Sequence, residues 1–392
     1  MPEKWVLQQY QALPLRAKIT MTQARIREWY NHWQGGVFVS FSGGKDSTAL
    51  AHLVHEICPD VPLVFSNTGL EYPEIQEFAR RMGAEFVRPK MQFSEVISTY
   101  GYPIISKENA QAIYYARRIK NGAGHFSTTD RKRVEFEGLR PESNESYRRG
   151  LLLGGNGNFD AYATGKEKKS FYNKEKWLPL CRDTQFKISH YCCAVMKKAP
   201  LEAYQRKHKA YPIIGTLTEE SRLREQAWIK NGCNAFEGRH RTSQPMSFWT
   251  EQDVLKYLYW EGFELASVYG EIVGIDSDGK EYFPMPGVDC KLKCTGCQRT
   301  GCVFCGFGCH LEKGETRFQR LAKTHPRQYE YCMGGGQWAD NPDYDPSAPK
   351  MDGRWENWNP KKIWVPSKEG LGMKHVFDEC NQIYGKNFIR YE

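Results

Sequence analysis

The sequence predicts an α/β fold: a doubly wound, mostly parallel sheet followed by a cysteine-rich C-terminal extension. Three stretches carry that expectation. Val37-Phe38-Val39 is an apolar run that enters Ser40 to Gly44, and beyond it Leu50, Leu53, Val54 and Ile57 fall at helical spacing up to Cys58. Val61 to Phe65 reads as a second buried strand ending in the turn Ser66-Asn67-Thr68-Gly69, and Pro73 opens a helix to about Met82. Glu85 to Pro89 is a third short strand. Strand, helix, strand, helix, strand in this order implies parallel pairing with right-handed crossovers.

The other elements follow along the chain. Residues 1–34 read as helical and pack on the sheet through Trp5, Tyr10, Leu13, Ile19, Ile26 and Trp29. Gly101 to Lys107 is a loop leading into a helix from about Glu108. Residues 113–190 form a basic insertion, punctuated by Asn121-Gly122-Ala123-Gly124 and Gly154-Gly155-Asn156-Gly157, so loops and short helices are expected there. Regular pattern returns from His190 to Pro200, and Tyr211 to Gly215 is a further strand that delivers Thr218 to Arg224 to a helix start. Thr250 is an N-cap with Asp253 as the acidic partner of a capping box. Arg317 to Tyr331 reads as one helix, 334–366 as a loop-rich cover, and Gly372 to Tyr384 as a last amphipathic helix. By motif the chain divides into a helical segment (1–34), a nucleotide-binding α/β domain (35–285) and a cysteine-rich segment with its cover (286–392).

Composition narrows the function classes. At 392 residues and 40% hydrophobic, the chain is long enough for a large core. No apolar run approaches the roughly 18 residues of a membrane span. Met1 to Lys18 has no apolar core of a signal peptide, so a cytoplasmic location without membrane contact is expected. The net charge is +9, and 113–190 holds sixteen Lys/Arg against nine Asp/Glu. Tyr114, Tyr115, Phe126, Tyr147, Phe171 and Tyr172 are interleaved there. Cations beside stacking faces suit nucleic acid, DNA or tRNA; a solvated insertion would look the same. Thirteen cysteines in such a compartment do not read as disulfides. Six of them fall between Cys290 and Cys309, which argues for metal.

Ser42-Gly43-Gly44-Lys45-Asp46-Ser47 stands between a strand and a helix. A helix start offers backbone N–H groups and the positive end of the macrodipole, and glycines let the main chain close on an anion. The stretch reads as a phosphate cradle. Lys45 would meet phosphate oxygens, Ser42 and Ser47 would supply hydroxyls, and Asp46 would place Mg²⁺ or cap the helix. A Walker A loop needs four residues between its first Gly and Gly-Lys-Ser/Thr, a spacing absent here. The alternative is a glycine-rich turn that binds nothing.

The six residues resemble the PP-loop of ATP pyrophosphatases, and other blocks agree. Ser66-Asn67-Thr68-Gly69 with Tyr72-Pro73-Glu74 is similar to the Asp-Thr-Gly and Phe-Pro-Glu of the phosphoadenosine phosphosulfate (PAPS) reductase-like family. Gly215 with Glu220-Ser221 and Arg224 is similar to its second substrate block. Cys192-Cys193 followed by Lys197, and Phe248-Trp249 before Asp253, resemble further signatures. The resemblance covers roughly residues 30–310; Asn67 replaces the family's Asp. It implies an adenine nucleotide alpha hydrolase-like fold, with nucleotide contacts at Ser42 to Ser47, Thr68, Gly69, Glu220 and Ser221. Arg224 would clamp phosphate or sulfate, and Lys197 would neutralise an anionic substrate or a cluster. An ion pair at a surface helix start is the other reading of Glu220 and Arg224.

The cysteines fit this resemblance in more than one way. Arg299-Thr300-Gly301-Cys302-Val303-Phe304-Cys305 is similar to the cluster motifs of adenylylsulfate reductases and of the DNA-phosphorothioation sulfurtransferase. In the former such a motif joins an upstream Cys-Cys pair, here Cys192 and Cys193, to hold a [4Fe-4S] cluster. The favoured ligands are therefore Cys302 and Cys305, completed from Cys192, Cys193 and Cys297, with Cys193 or another left over as sulfur carrier. Cys294 is an extra candidate, and Cys290 and Cys309 stand behind it. Zinc on the close pairs Cys294/Cys297 and Cys302/Cys305 is the rival. Cys380 follows Glu379 as a reductase nucleophile would, but Val376, Phe377, Cys380 and Ile383 share a helical face, so it reads as core. Cys58, Cys181, Cys233 and Cys332 read as buried.

The leading expectation is an ATP-dependent sulfur-transfer enzyme. It would use ATP, Mg²⁺ and an iron–sulfur cluster, adenylate an acceptor such as nucleic acid, and take sulfur from a cysteine desulfurase or thioredoxin-like partner. Lys45, Asp46, Cys193, Lys197 and Arg224 would carry the chemistry. An assimilatory adenylylsulfate/PAPS reductase and an ATP-binding regulatory subunit are the alternatives, and an oligomer is left open.

Overall fold

The computed structural model describes residues 4–117, 174–238, 241–285, 287–347 and 358–392. Most of the basic insertion expected to meet nucleic acid, 118–173, therefore lies outside the described residues. The chain groups into two interleaved units, 1–90 with 196–302, and 91–195 with 303–392. This grouping by contact cuts across the sequential division by motif.

The first unit holds the parallel sheet. Two N-terminal helices, α1 (Lys4–Gln11) and α2 (Leu15–His32), are separated at Pro14, whose missing N–H favours a helix start. Then come β1 (Val37–Phe41), α3 (Lys45–His55), β2 (Leu63–Ser66), α4 (Pro73–Arg81) and β3 (Glu85–Val87). After the excursion into the second unit follow α5 (Ala199–His208), β4 (Tyr211–Ile214), α6 (Arg222–Asn231), β5 (Asn234–Ala235), β6 (Thr242–Ser243) and α7 (Glu251–Trp260). The strand order is β3-β2-β1-β4-β6-β5, parallel except for the β5–β6 pair. The order reverses at β1, where open α/β sheets place their ligands.

Burial explains the pattern. Val37, Phe38, Val39 and Phe41 of β1 are all buried, as a central strand covered on both faces requires. Phe38 and Val64 pack with Tyr204 of α5 and Ala210. Helix α2 lies on this unit as expected: Trp29 meets Tyr211 edge to face, and the Trp249 indole donates to Thr22 Oγ1 at 2.8 Å.

A small antiparallel sheet, unforeseen in the sequence, completes the unit: β7 (Ile272–Ile275), β8 (Glu281–Tyr282) and β9 (Lys291–Cys294), ordered β9-β7-β8. Beyond β9 the pairing continues without regular strand. Thr295 N–H donates to Glu271 O, Gly296 N–H to Tyr269 O at 2.8 Å and Cys297 N–H to Val268 O at 2.9 Å. A Cβ on Gly296 would lie 2.4 Å from Val268 O, so only glycine lets the two backbones approach this closely.

The second unit is mainly helical: Phe93–Tyr100, Lys107–Arg117, Leu178–Asp183, Arg317–Thr324, Pro326–Met333 and Met373–Tyr384. The single helix expected over Arg317 to Tyr331 is broken, because Pro326 cannot donate the N–H that would continue it. The expected loop-rich cover contains an antiparallel pair, Gln337–Asp340 with Lys362–Val365. Arg117 is half-buried here and donates to Leu180 O, Cys181 O, Phe186 O and Thr184 Oγ1, with its guanidinium 4.2 Å from the Trp358 ring centre. Cys380 is fully buried in the last helix, and Cys181 and Cys332 are equally enclosed, as expected. No helix among the described residues is long and apolar enough to cross a membrane.

Candidate nucleotide site

The loop after β1 is shaped by its own residues. Gly43 has φ +68°, the left-handed region that favours glycine, and a Cβ there would lie 2.8 Å from Ile75 Cγ2. Ser47 Oγ accepts from Ser42 N–H at 3.2 Å, donates to Gly44 O at 2.9 Å and lies 3.0 Å from Ser42 Oγ. Thr48 Oγ1 also donates to Gly44 O. Gly44 is extended and precedes the first turn of α3. At the end of β4, a Cβ on Gly215 would stand 2.8 Å from Asp46 O, so this strand end and the helix start are in backbone contact.

Lys45 opens α3 with its side chain only 5% exposed, and its Nζ donates to Glu251 Oε1 at 2.6 Å. Glu251 is the first residue of α7. Its own N–H is held by Glu219 Oε1. Thr250 and Asp253 form the expected capping box, and buried Lys18 clamps Asp253 Oδ2 at 2.6 Å. Tyr269 lies above the loop: its hydroxyl meets Thr300 Oγ1 at 2.6 Å, receives the Lys45 backbone N–H and would be 3.4 Å from a Cβ on Gly44.

Charges of both signs converge on the loop. Burial pushes the Asp46 carboxyl above its ordinary range; Lys45, Arg299 and Arg224 oppose the shift and Glu251 adds to it. Arg224 pairs with Glu220, which Arg299 also approaches at 3.6 Å. Burial lowers the Arg224 guanidinium from its usual value, against the pull of Asp46. Ser221 caps α6 by accepting Arg224 N–H. The residues of the second block thus stand as an ion pair and a cap in this structure.

A cavity of about 160 Å³ opens at the carboxyl ends of β1 and β2, lined among others by Ser42, Ser66, Glu71, Lys197 and Thr300. That is below the roughly 300 Å³ of a typical small-molecule site, so it accommodates one group of a nucleotide-sized ligand. Lys197 sits in a π-helical turn, Ala194–Lys198, of the kind often found at functional sites. Thr68 donates its hydroxyl to Glu71 Oε1 at 2.7 Å and its N–H to Oε2, while Gly69 turns with φ +74°. The geometry therefore adds Glu71, Glu251, Tyr269 and Thr300 to the residues named from sequence. No sequence signal pairs Glu251 with a lysine 206 residues away.

The donor chemistry of the cysteines suits iron–sulfur or zinc. Of the set Cys192, Cys193, Cys297, Cys302 and Cys305, two belong to the first unit and three to the second. Cys192 and Cys193 place their sulfurs 3.9 Å apart. Among the described residues no group of three or more His, Cys, Asp or Glu is placed to hold a metal ion. Burial raises the thiol of Cys309 to about 12 and that of Cys294 upward, and Cys309 Sγ donates to Gly306 O.

Comparison with known proteins gives the family. The phosphoadenosine phosphosulfate reductase domain matches residues 36–121 and 115–306, more than two thirds of the chain. The chain belongs to this family. An adenosine 5'-phosphosulfate reductase of Staphylococcus haemolyticus (strain JCSC1435) is 29% identical over 103 residues, 24% of this chain and 42% of that protein. The chain thus matches less than half of that relative's length. The match to the PAPS reductase domain contains the loop, the strand-end turn and the Gly215–Arg224 block.

Proposed function

We propose that this PAPS reductase-family chain is an ATP pyrophosphatase that drives sulfur transfer in the cytoplasm. The observation that supports this reading is the complete Ser42–Ser47 loop, built between β1 and α3 with Lys45 buried at its floor. An acceptor oxygen attacks the α-phosphorus of ATP. The new O–P bond forms as the α–β anhydride breaks, and pyrophosphate leaves with the bond's electron pair. Lys45 and the loop amides stabilise the charge on the departing phosphates. The outer sulfur of a persulfide on Cys193, loaded by a desulfurase, then bonds to the activated acceptor atom as its bond to the AMP oxygen breaks and AMP leaves with that electron pair. A dithiol of a thioredoxin-like partner reduces the resulting acceptor–S–S–Cys193 disulfide and is itself oxidised. The acceptor is a nucleic acid in this reading, on the strength of the basic composition of 113–190.

The name of the Staphylococcus relative favours a second reading, release of sulfite from a sulfonucleotide. That reaction needs a reachable thiolate, and Cys380, the residue in the reductase-like position, is fully enclosed with its thiol pushed well above its ordinary value by burial. Labelled ATP incubated with anaerobically purified protein, with and without DNA or tRNA, decides between them. Pyrophosphate release supports the first reading. Sulfite from adenylylsulfate or PAPS with thioredoxin supports the second, and ATP binding without turnover supports a regulatory subunit. A [4Fe-4S] cluster would give a brown protein that Cys302→Ser bleaches; a colourless protein with one zinc would point to the rival metal.

A further inference from the structure

The Lys45–Glu251 contact carries an inference that rests on the ATP reading above. Lys45 is the loop cation that would meet phosphate, yet its ammonium already has a carboxylate 2.6 Å away. Lys45 is buried while Glu251 is 43% exposed, so the pair opens toward solvent on the glutamate side.

Glu251 is mounted rather than loosely placed. Its helix begins in a complete capping box, Thr250 with Asp253. Asp253 is tied in turn to Lys18, which is 2% exposed and also donates to Gln11 O. The Glu251 N–H is held by Glu219. The next residue, Gln252, hydrogen-bonds in both directions with the Leu292 backbone. A carboxylate carried on a helix start held this firmly stays within reach of Lys45 when an anion arrives.

We infer that Glu251 is a positioning residue that competes with phosphate for Lys45. Without ligand it holds the ammonium beside the loop. An incoming polyphosphate must take Lys45 from Glu251 and sits near its negative charge, together with those of Asp46 and Glu219. After the α–β bond breaks, the same carboxylate draws Lys45 back and helps pyrophosphate leave. Glu251 therefore weakens product binding and speeds turnover.

The test is calorimetric binding of inorganic pyrophosphate, with and without Mg²⁺, to the full chain and to Glu251→Gln. The glutamine keeps the shape and an acceptor oxygen but removes the charge. Pyrophosphate should bind about two- to fivefold more tightly, the size expected of a partly exposed ion pair. In ATP turnover, kcat and KM should fall together, a split that a purely structural role does not produce. Glu251→Asp, one methylene shorter, should lie between, and thermal melting of each variant reports folding independently. Equal or weaker pyrophosphate binding by the folded glutamine variant overturns the inference while leaving the ATP reading intact. If neither protein binds pyrophosphate or ATP, both fall.

Discussion

Gly215→Ala tests whether the end of β4 and the start of α3 are truly in contact. The added Cβ would lie 2.8 Å from Asp46 O, 3.0 Å from Asp46 C and 3.2 Å from Ser47 Cα. All three are backbone atoms of the first helical turn, so no side-chain rotation relieves the overlap. β4 is hydrogen-bonded to β1 along its length, from Val37 to Ser40, which leaves the helix start as the part that shifts. Overpacking of this kind costs about 1–3 kcal/mol. A shift of a few tenths of an ångström also misaligns the Asp46 and Ser47 amides. Urea unfolding should lose about 2 kcal/mol, and pyrophosphate affinity should drop several-fold by calorimetry. Gly301→Ala, where a Cβ meets nothing within 4 Å, is the control and should change stability by less than about 0.5 kcal/mol. A Gly215→Ala protein with wild-type unfolding and wild-type binding would refute the close approach.

Three further outcomes follow from particular contacts. Lys18→Ala removes the buried partner of Asp253 and should cost about 3 kcal/mol in urea unfolding, because the carboxylate is left without its cation. Arg117→Met removes the donor to Cys181 O and Phe186 O, while Leu180 O keeps the Thr184 hydroxyl, and should lower stability by about 2–4 kcal/mol, read from tryptophan fluorescence in denaturant. Asp46→Asn tests the raised carboxyl. A raised acid stabilises the fold fully only below its unfolded value, near 3.8, and that contribution is lost as pH rises through the folded value. The asparagine variant should therefore melt higher than wild type at pH 7, with the gap closing as pH falls toward 4; equal melting at pH 7 would count against burial as the cause.

The alternation from Val37 to Val87 was readable because buried parallel strands are apolar runs and their helices repeat at 3.6 residues. The capping box at Thr250 was readable because it is local. Pro326, in contrast, lies inside an otherwise regular amphipathic pattern, so the period reads through the proline where the backbone does not. In the sheet Ile272–Cys294, Glu281-Tyr282 is short and exposed with no alternation to detect, and Ile272–Ile275 is a four-residue apolar run interrupted by Gly274. In the site, Ser42 to Ser47 form one contiguous motif, whereas Glu251 and Tyr269 reach the loop only through tertiary packing. Glu71 is separated from Thr68 by a glycine turn, so its buried carboxylate depends on a backbone bend that residue identity alone does not specify. The Cys302/Cys305 pair is legible as local spacing, whereas the cysteines that would complete a metal site lie far along the chain, where spacing carries no information on neighbours.

The backbone lock between Gly296 and Val268–Tyr269 sets where this chain tolerates redesign. The stretch 276–285 carries mostly exposed side chains, including Phe283 and Met285, so an inserted peptide or affinity tag there has room to leave the body of the unit. The stretch Thr295–Cys297 has no such slack, since one inserted residue would break its register with Val268–Glu271. Because Tyr269 in that partner stretch touches Thr300 and the first helical N–H of the loop, the break would be felt at the phosphate cradle. A chimera that exchanges the cysteine segment should therefore carry 267–271 along with 294–300 as one module.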